Sequence, residues 1–213
     1  MKMNKHKEWS VTRSETFWRD IAPGEHVLQI YDNKDAFIDT LASFVGTGIN
    51  AGESVIVIAC AEHKKQLEYK LRQHVLQLDT LKEDHRLTIL DADETLEKLC
   101  RDGMPDEELF QKVISGQVNR ARGKEGRTVR AFGEMVCLLS EKGNYAGTRK
   151  LEELWSRFCR EEKISLYCAY PRSVFEEKGE EHLRDICSCH TKIIKVTKKP
   201  LMEVMYQDVE KTA

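Results

Sequence analysis

The sequence predicts an α/β protein, a three-layer α/β/α arrangement around a mainly parallel sheet of five or more strands. Three observations carry this. Short runs such as SVIVIAC (54–60) and ISLYCAY (164–170) are apolar on both faces, as in strands covered on both sides of a parallel sheet. Helical patterns of ten or more residues alternate with such runs, and parallel neighbours need crossovers of that length. The length, 213 residues, suits one ordinary α/β domain with short appendages.

The elements follow in order. Residues 1–22 are polar apart from two Trp and read as an N-terminal arm with one short helix. HVLQIY (26–31) is the first strand, and DNKD after it reads as a turn and helix cap. Phe37, Ile38, Leu41, Phe44, Val45 and Ile49 recur at helical spacing, so 35–50 is an amphipathic helix ended by NAGE. SVIVIAC is the second strand. A charged helix over about 62–78 follows, with Leu67, Leu71 and Val75 on one face. RLTIL (86–90) is the third strand, DADETLEKLCRDG (91–103) a short capped helix, and the next helix has Pro105 near its first turn. TVRAFG (128–133) and ISLYCAY are the fourth and fifth strands. Between them a helix over about 145–162 carries Leu151, Leu154, Trp155 and Phe158 on one stripe. Residues 172–192 read as helical, and 193–213 as a Lys-rich tail able to add an edge strand or dock a partner.

Composition narrows the function classes. Apolar residues make up 40% and charged residues 33%, with a formal charge of −2 and both signs interspersed. That argues against a broad nucleic-acid footprint. No run of about 18 apolar residues offers a membrane span. The basic N-terminus lacks an apolar signal core, so the expected location is the cytoplasm. The seven cysteines, Cys60, Cys100, Cys137, Cys159, Cys168, Cys187 and Cys189, then read as reduced thiols, mostly small core residues.

In a parallel sheet, ligands bind beyond the C-terminal strand ends. The positions to inspect are Tyr31 and Asp32, Cys60 to His63, Asp91, Gly133 and Glu134, and Tyr170. A phosphate cradle after the first strand needs glycines, a Lys and a Ser or Thr. The stretch here is YDNKDAFID, with no glycine between Gly24 and Gly46. Asp32, Asp35 and Asp39 would repel a triphosphate from the helix start. An acidic residue placed like Glu134 often serves Mg²⁺ or the attacking water, but without a cradle it has no phosphate to serve.

Four stretches together resemble a known family: GEHVLQIYDNKDAFIDTLASFVGTGINAGESVIVIACAEH, LDADETLEKLCRDGMPDEELF, GRTVRAFGEMVCLLSEKGNYAGTRKLEELWSRF and SLYCAYPRSVF. With RAFGEMV, GNY, LEELW and CAYP in order, the chain resembles the MEDS domain, the methanogen/methylotroph DcmR-type sensory domain, over residues 23–192. The resemblance implies a RecA/KaiC-like core lacking a P-loop. It also implies a sensory role in prokaryotic signal transduction, with simple hydrocarbon derivatives as ligands. Relatives are often joined to DNA-binding or histidine-kinase modules. No such module fits in the segments outside 23–192, so the expected output is a separate signalling protein, a histidine kinase or a transcription regulator.

Individual residues carry two readings each. His26 opens the first strand and His63 follows the second; a lone His is commonly a satisfied core or surface group. The family's His before its first strand and EH after its second raise the ligand reading for both. His63 stands at the ligand end, whereas His26 lies at the other end unless the arm folds over. Arg130 interrupts an apolar strand and must be paired. Glu134 or Glu153 can supply that pair, or the guanidinium presents its fork to a ligand. Tyr31, Tyr145 and Tyr170 offer apolar area with a polar tip, or simply pack. ICSCH (186–190) brings Cys187, Cys189 and His190 close in sequence. The C-x-C-H spacing is not that of structural zinc, and a metal there needs His63, His26 or Cys60 to complete it. The family's Cys and His near this point allow a role in the sensory pocket.

The expectation is a non-catalytic sensor of a small organic molecule. It has no resident cofactor, and its ligand-site residues are Tyr31, Asp32, His63, Arg130, Glu134, Tyr170, His26 and His190. The rival is a metal- or thiol-dependent redox sensor or enzyme built on Cys187, Cys189 and His190. A third reading is a nucleotide binder that no longer hydrolyses.

Overall fold

The computed structural model describes residues 17–74, 77–176 and 179–195. Most of the N-terminal arm, Val75 and the tail beyond 195 lie outside the described residues. The main sheet has six strands: β1 (His26–Tyr31), β2 (Ser54–Ala59), β3 (Leu87–Asp91), β6 (Val129–Gly133), β7 (Ser165–Pro171) and β8 (Lys192–Lys195). They lie in the order β3-β2-β6-β7-β1-β8, and every neighbouring pair is parallel. The five strands expected from the apolar runs are all present. The sixth comes from the start of the Lys-rich tail, where Ile193 and Ile194 are buried beside β1. A two-stranded antiparallel hairpin, β4 (Cys100–Arg101) and β5 (Met104–Pro105), stands apart from this sheet.

The helices are α1 (Lys34–Asn50), α2 (Ala61–His74), α3 (Leu78–Glu83), α4 (Ala92–Leu99), α5 (Glu107–Arg122), α6 (Met135–Glu141), α7 (Tyr145–Glu162), α8 (Ser173–Glu176) and α9 (Gly179–Ser188). Strand order decides which face each one covers. The links β1 to β2 and β2 to β3 run towards one sheet edge; β3 to β6, β6 to β7 and β7 to β8 run towards the other. Right-handed crossovers therefore put the two sets on opposite faces. On one face α1 and α2 bury Phe37, Leu41, Phe44, Leu67 and Leu71 against Val27, Val57, Phe132 and Tyr167. On the other, α4, α5, α7 and α9 bury Leu96, Phe110, Trp155, Phe158 and Ile186 against Leu28, Ile56, Ala131 and Cys168. Among the described residues, no helix is long and apolar enough to cross a membrane.

The end of the arm belongs to the core. Phe17, Trp18 and Ile21 are buried in the α1–α2 layer, and the Trp18 ring lies 4.9 Å from Phe44 and 5.0 Å from Tyr167. Arg130 fastens this corner. It sits near the N-terminal end of β6, 2% exposed. Its guanidinium pairs with Glu53, donates to the carbonyls of Phe44 (3.2 Å) and Trp18 (3.3 Å), and lies over the Phe44 ring. Gly48 makes room for it: a Cβ there would fall 2.6 Å from Arg130 Cδ. The buried pair expected for Arg130 therefore exists, but Glu53 supplies it rather than Glu134 or Glu153. Arg130 is engaged at the strand end opposite Glu134.

Candidate functional site

The sheet opens where the chain leaves two adjacent strands in diverging directions. β2 exits towards β3 on the α2 face, and its neighbour β6 exits towards β7 on the opposite face. A crevice between the C-terminal ends of β2 and β6 follows from that topology. Three of the inspected residues meet in it. Glu134 follows Gly133 and stands at the N-cap of α6. Its backbone N–H donates to the Ile58 carbonyl at 2.9 Å, which ties it to β2. Its carboxylate accepts from the Cys60 N–H (2.8 Å) and lies 2.6 Å from His63 Nδ1. One donor atom each from Cys60, His63 and Glu134 falls within 4.8 Å of the others.

The electrostatics follow from this packing. Burial alone lowers the pKa of His63. The nearby Cys60 side chain and the hydrogen bond and charge of Glu134 override that and raise it to about 10. The imidazolium so favoured spends Nδ1 on Glu134, while Nε2 is buried with no hydrogen-bond partner among the described residues. Apolar rings wall the site: Phe37 meets His63 edge-on at 5.1 Å, and Tyr31 stacks on Phe37 at 4.5 Å. One buried donor without a partner among the described residues thus lies beside an aromatic wall. Asp91 serves elsewhere, capping α4 and pairing with Lys64 at 2.9 Å.

Sequence comparison supplies the family. The chain matches the family described as MEDS, the MEthanogen/methylotroph, DcmR Sensory domain, over residues 25–191. It belongs to that family. Among solved structures, the KaiC-like protein PH0186 from the hyperthermophilic archaeon Pyrococcus horikoshii OT3 matches with a TM-score of 0.58 at 12% identity, covering 89% of this chain and 81% of that one. The protein PH0250 from Pyrococcus horikoshii OT3 matches with a TM-score of 0.57 at 14% identity, covering 92% and 97%. At such identities the likeness is one of fold, and the fold is RecA/KaiC-like. No curated protein matches the sequence.

The remaining site candidates of this MEDS domain divide between two places. Tyr31 and Asp32 stand at the end of β1, where Asp32 accepts from Arg172 at 2.7 Å. The link from β1 to α1 is only Asp32 and Asn33, and Asn33 caps the helix by accepting from the Ala36 N–H at 3.0 Å.

His26, His190 and Tyr170 meet instead inside the other layer, under α7. His26 begins its strand at the end away from the crevice, as expected, and it is buried there. Its Nδ1 faces Ser156 Oγ (3.0 Å) and the Cys189 carbonyl (3.1 Å); its Nε2 faces Cys168 Sγ (3.2 Å) and Glu152 Oε2 (3.5 Å). His190 lies with its ring 3.9 Å from that of His26, its Nδ1 on the Ile186 carbonyl (2.7 Å) and its Nε2 3.6 Å from Glu152 Oε2. Tyr170 donates to Glu152 Oε1 at 2.5 Å. Burial pushes Glu152 up to about 8, against the Tyr170 hydrogen bond, and pushes His190 down to about 4.

Cys187 and Cys189 do not gather round His190 as ligands. Among the described residues, the donors that converge with it are His26, Glu152 and Cys168. Burial and the Glu152 charge push the Cys189 thiol up to about 11, which opposes thiolate reactivity. Sequence reasoning missed Glu152 and Ser156. Their signal was a polar row, Thr148, Glu152 and Ser156, at fourfold spacing on a helix whose neighbouring row is Leu151, Trp155 and Phe158; all three polar residues are buried.

Proposed function

We propose that this MEDS domain senses a small, weakly polar organic molecule, a simple hydrocarbon derivative, and reports its presence without turning it over. One observation carries the reading: His63 Nε2 is a buried donor with no partner among the described residues, in a ring that meets Phe37 edge-on beside the diverging ends of β2 and β6. An oxygen, nitrogen or halogen on a small ligand would accept from that donor while its carbon body lies against Phe37 and Tyr31. The two-residue turn after β1 favours this over nucleotide hydrolysis, since it offers no glycine-rich loop for a triphosphate. The ligand would act by binding one arrangement of the α2 and α6 starts better than another. The output would go to a separate histidine kinase or transcription regulator; a formal charge of −2 with both signs interspersed along the chain argues against direct nucleic-acid binding.

A thermal-shift screen with small alcohols, amines and halocarbons, run beside ATP with Mg²⁺, tests the reading. A ligand at 100 times its Kd stabilises by about 2.7 kcal/mol. The expected result is a shift with a member of the organic set that His63→Gln abolishes. A shift with ATP and Mg²⁺ alone, or an organic shift unchanged in His63→Gln, would reject it.

A further inference from the structure

We infer that the group formed by His26, Glu152, Cys168 and His190 is a binding site for one zinc-type divalent cation. The proton accounting leads there. Ser156 spends its single hydroxyl proton on the Cys189 carbonyl at 2.6 Å. His26 Nδ1 therefore faces two acceptors, the Ser156 oxygen and that carbonyl, and must carry the ring proton. His190 Nδ1 faces a carbonyl and must carry its proton too. Both Nε2 atoms then present lone pairs, and they lie 3.5 and 3.6 Å from Glu152 Oε2, which is a third acceptor when the carboxylate is ionised. Cys168 can give its thiol proton to His26 Nε2, but Glu152 Oε2 and His190 Nε2 still have no hydrogen-bond partner among the described residues. Converging buried lone pairs repel unless a cation or a proton lies among them.

A metal resolves every one of these groups. The donor set of two imidazoles, a carboxylate and a thiol is that of a four-coordinate zinc site. Tetrahedral bonds of about 2.0–2.3 Å imply donor separations of about 3.3–3.8 Å. The Nε2–Sγ and Nε2–Oε2 distances here are 3.2, 3.5 and 3.6 Å, and all four donor atoms lie within 4.8 Å of one another. The outer contacts have the form that orients metal ligands: each imidazole Nδ1–H donates to a backbone carbonyl, and Tyr170 holds the second carboxylate oxygen. A thiolate and a carboxylate also balance a dication, which a dry interior requires. A cleft of about 290 Å³ between α7 and α9, lined by Tyr145, Arg149, Glu152, His182, Asp185 and Cys189, offers the way in. The site does not depend on the crevice at His63, so its test is independent of the sensing reading.

The full chain, stripped with chelator under reducing conditions, is titrated with Co²⁺ and Zn²⁺. The expected result is one ion per chain, with tetrahedral visible bands and a near-ultraviolet thiolate-to-cobalt band. Cys168→Ser abolishes the thiolate band, and His190→Gln weakens Zn²⁺ at least about a hundredfold, more than loss of an outer contact costs. Cys187→Ser with Cys189→Ser keeps the spectrum. Far-ultraviolet circular dichroism checks that each variant is folded, and the wild-type stoichiometry stands even if one is not. No binding by the wild type, a thiolate band that survives Cys168→Ser, or one lost in Cys60→Ser instead, overturns the assignment.

Discussion

Replacing Glu134 by Gln keeps the shape of the side chain, removes its charge, and should change the pH dependence of stability in a fixed direction. Folded His63 titrates near 10, against 6.5 as its ordinary value. Between those values the folded state holds about one more proton than the unfolded chain. The stability this pair supplies is therefore fully present below about pH 6.5 and lost as the pH rises through about 10. One proton is worth about 1.4 kcal/mol per pH unit, so the span from about pH 7 to about pH 9 removes about 2–3 kcal/mol. In Glu134→Gln the Glu134 charge is gone while the Cys60 contact that also raises His63 remains, so this slope becomes shallower. An amide also has one acceptor where the carboxylate uses two, for His63 Nδ1 and the Cys60 N–H. The variant is thus less stable near neutrality by about 2–4 kcal/mol. Urea unfolding followed by circular dichroism at the two pH values measures both effects. Buried thiols such as Cys137 and Cys159, pushed up by burial, add a slope of the same sign. Burial, the main cause, is the same in both proteins, so the difference in slope between the two pH values reports chiefly on His63. A variant whose stability falls with pH as steeply as the wild type would refute the charged pairing of His63 with Glu134.

Three further outcomes follow from named contacts. Gly48→Ala should lower stability by about 1–3 kcal/mol in urea unfolding, despite alanine's better helix propensity, because the new Cβ meets an Arg130 side chain held at Glu53 and two carbonyls. Trp18→Ala should cost about 3–5 kcal/mol in the same assay, since the ring is 1% exposed between Phe44 and Tyr167. Tyr170→Phe leaves Glu152 Oε1 without its donor and should weaken Zn²⁺ binding about 10–100-fold by calorimetric titration.

The sheet was legible because its strands are buried on both faces, and apolar runs of that kind have few other interpretations. Glu134 and His63 were legible as residues at C-terminal strand ends. Their contact was not, since it depends on β2 and β6 being neighbours, and strand order cannot be read from periodicity. The helix α6 escaped notice for a related reason. MVCLLSE continues the apolar run of β6, and the turn between them rests on Gly133 and Glu134. Arg130 was correctly seen to need a carboxylate, but Glu53 is distant in sequence and reaches it only through the β2–β6 register. The cluster under α7 was hidden most deeply. Its four residues come from the start of β1, the middle of β7, the loop before β8 and the helix α7, and no pair of them is close in sequence.

Unpaired buried polar atoms occur at several points, so their presence alone does not mark a site. Among the described residues, Trp18 Nε1 and Trp155 Nε1 are unpaired too, as is Gln29 Nε2. The two indoles lie among aromatic rings, where a single weak donor is the small cost of a large apolar area. Arg130 is the opposite case: its carboxylate and carbonyls join the arm, α1 and β6, and its role in the fold accounts for it fully. The clusters at His63 and at Glu152 fit neither pattern. Buried ionic groups can often be exchanged for apolar residues of similar volume without loss of stability, and the main sheet already joins the strands from which these clusters project. At Glu152, moreover, the unpaired atoms point at one another rather than into hydrocarbon. A fold that carries such groups at a cost is one whose free energy depends on what binds them. That dependence is what a sensory domain requires, because a ligand or ion that satisfies the groups alters the relative stability of the arrangements around them.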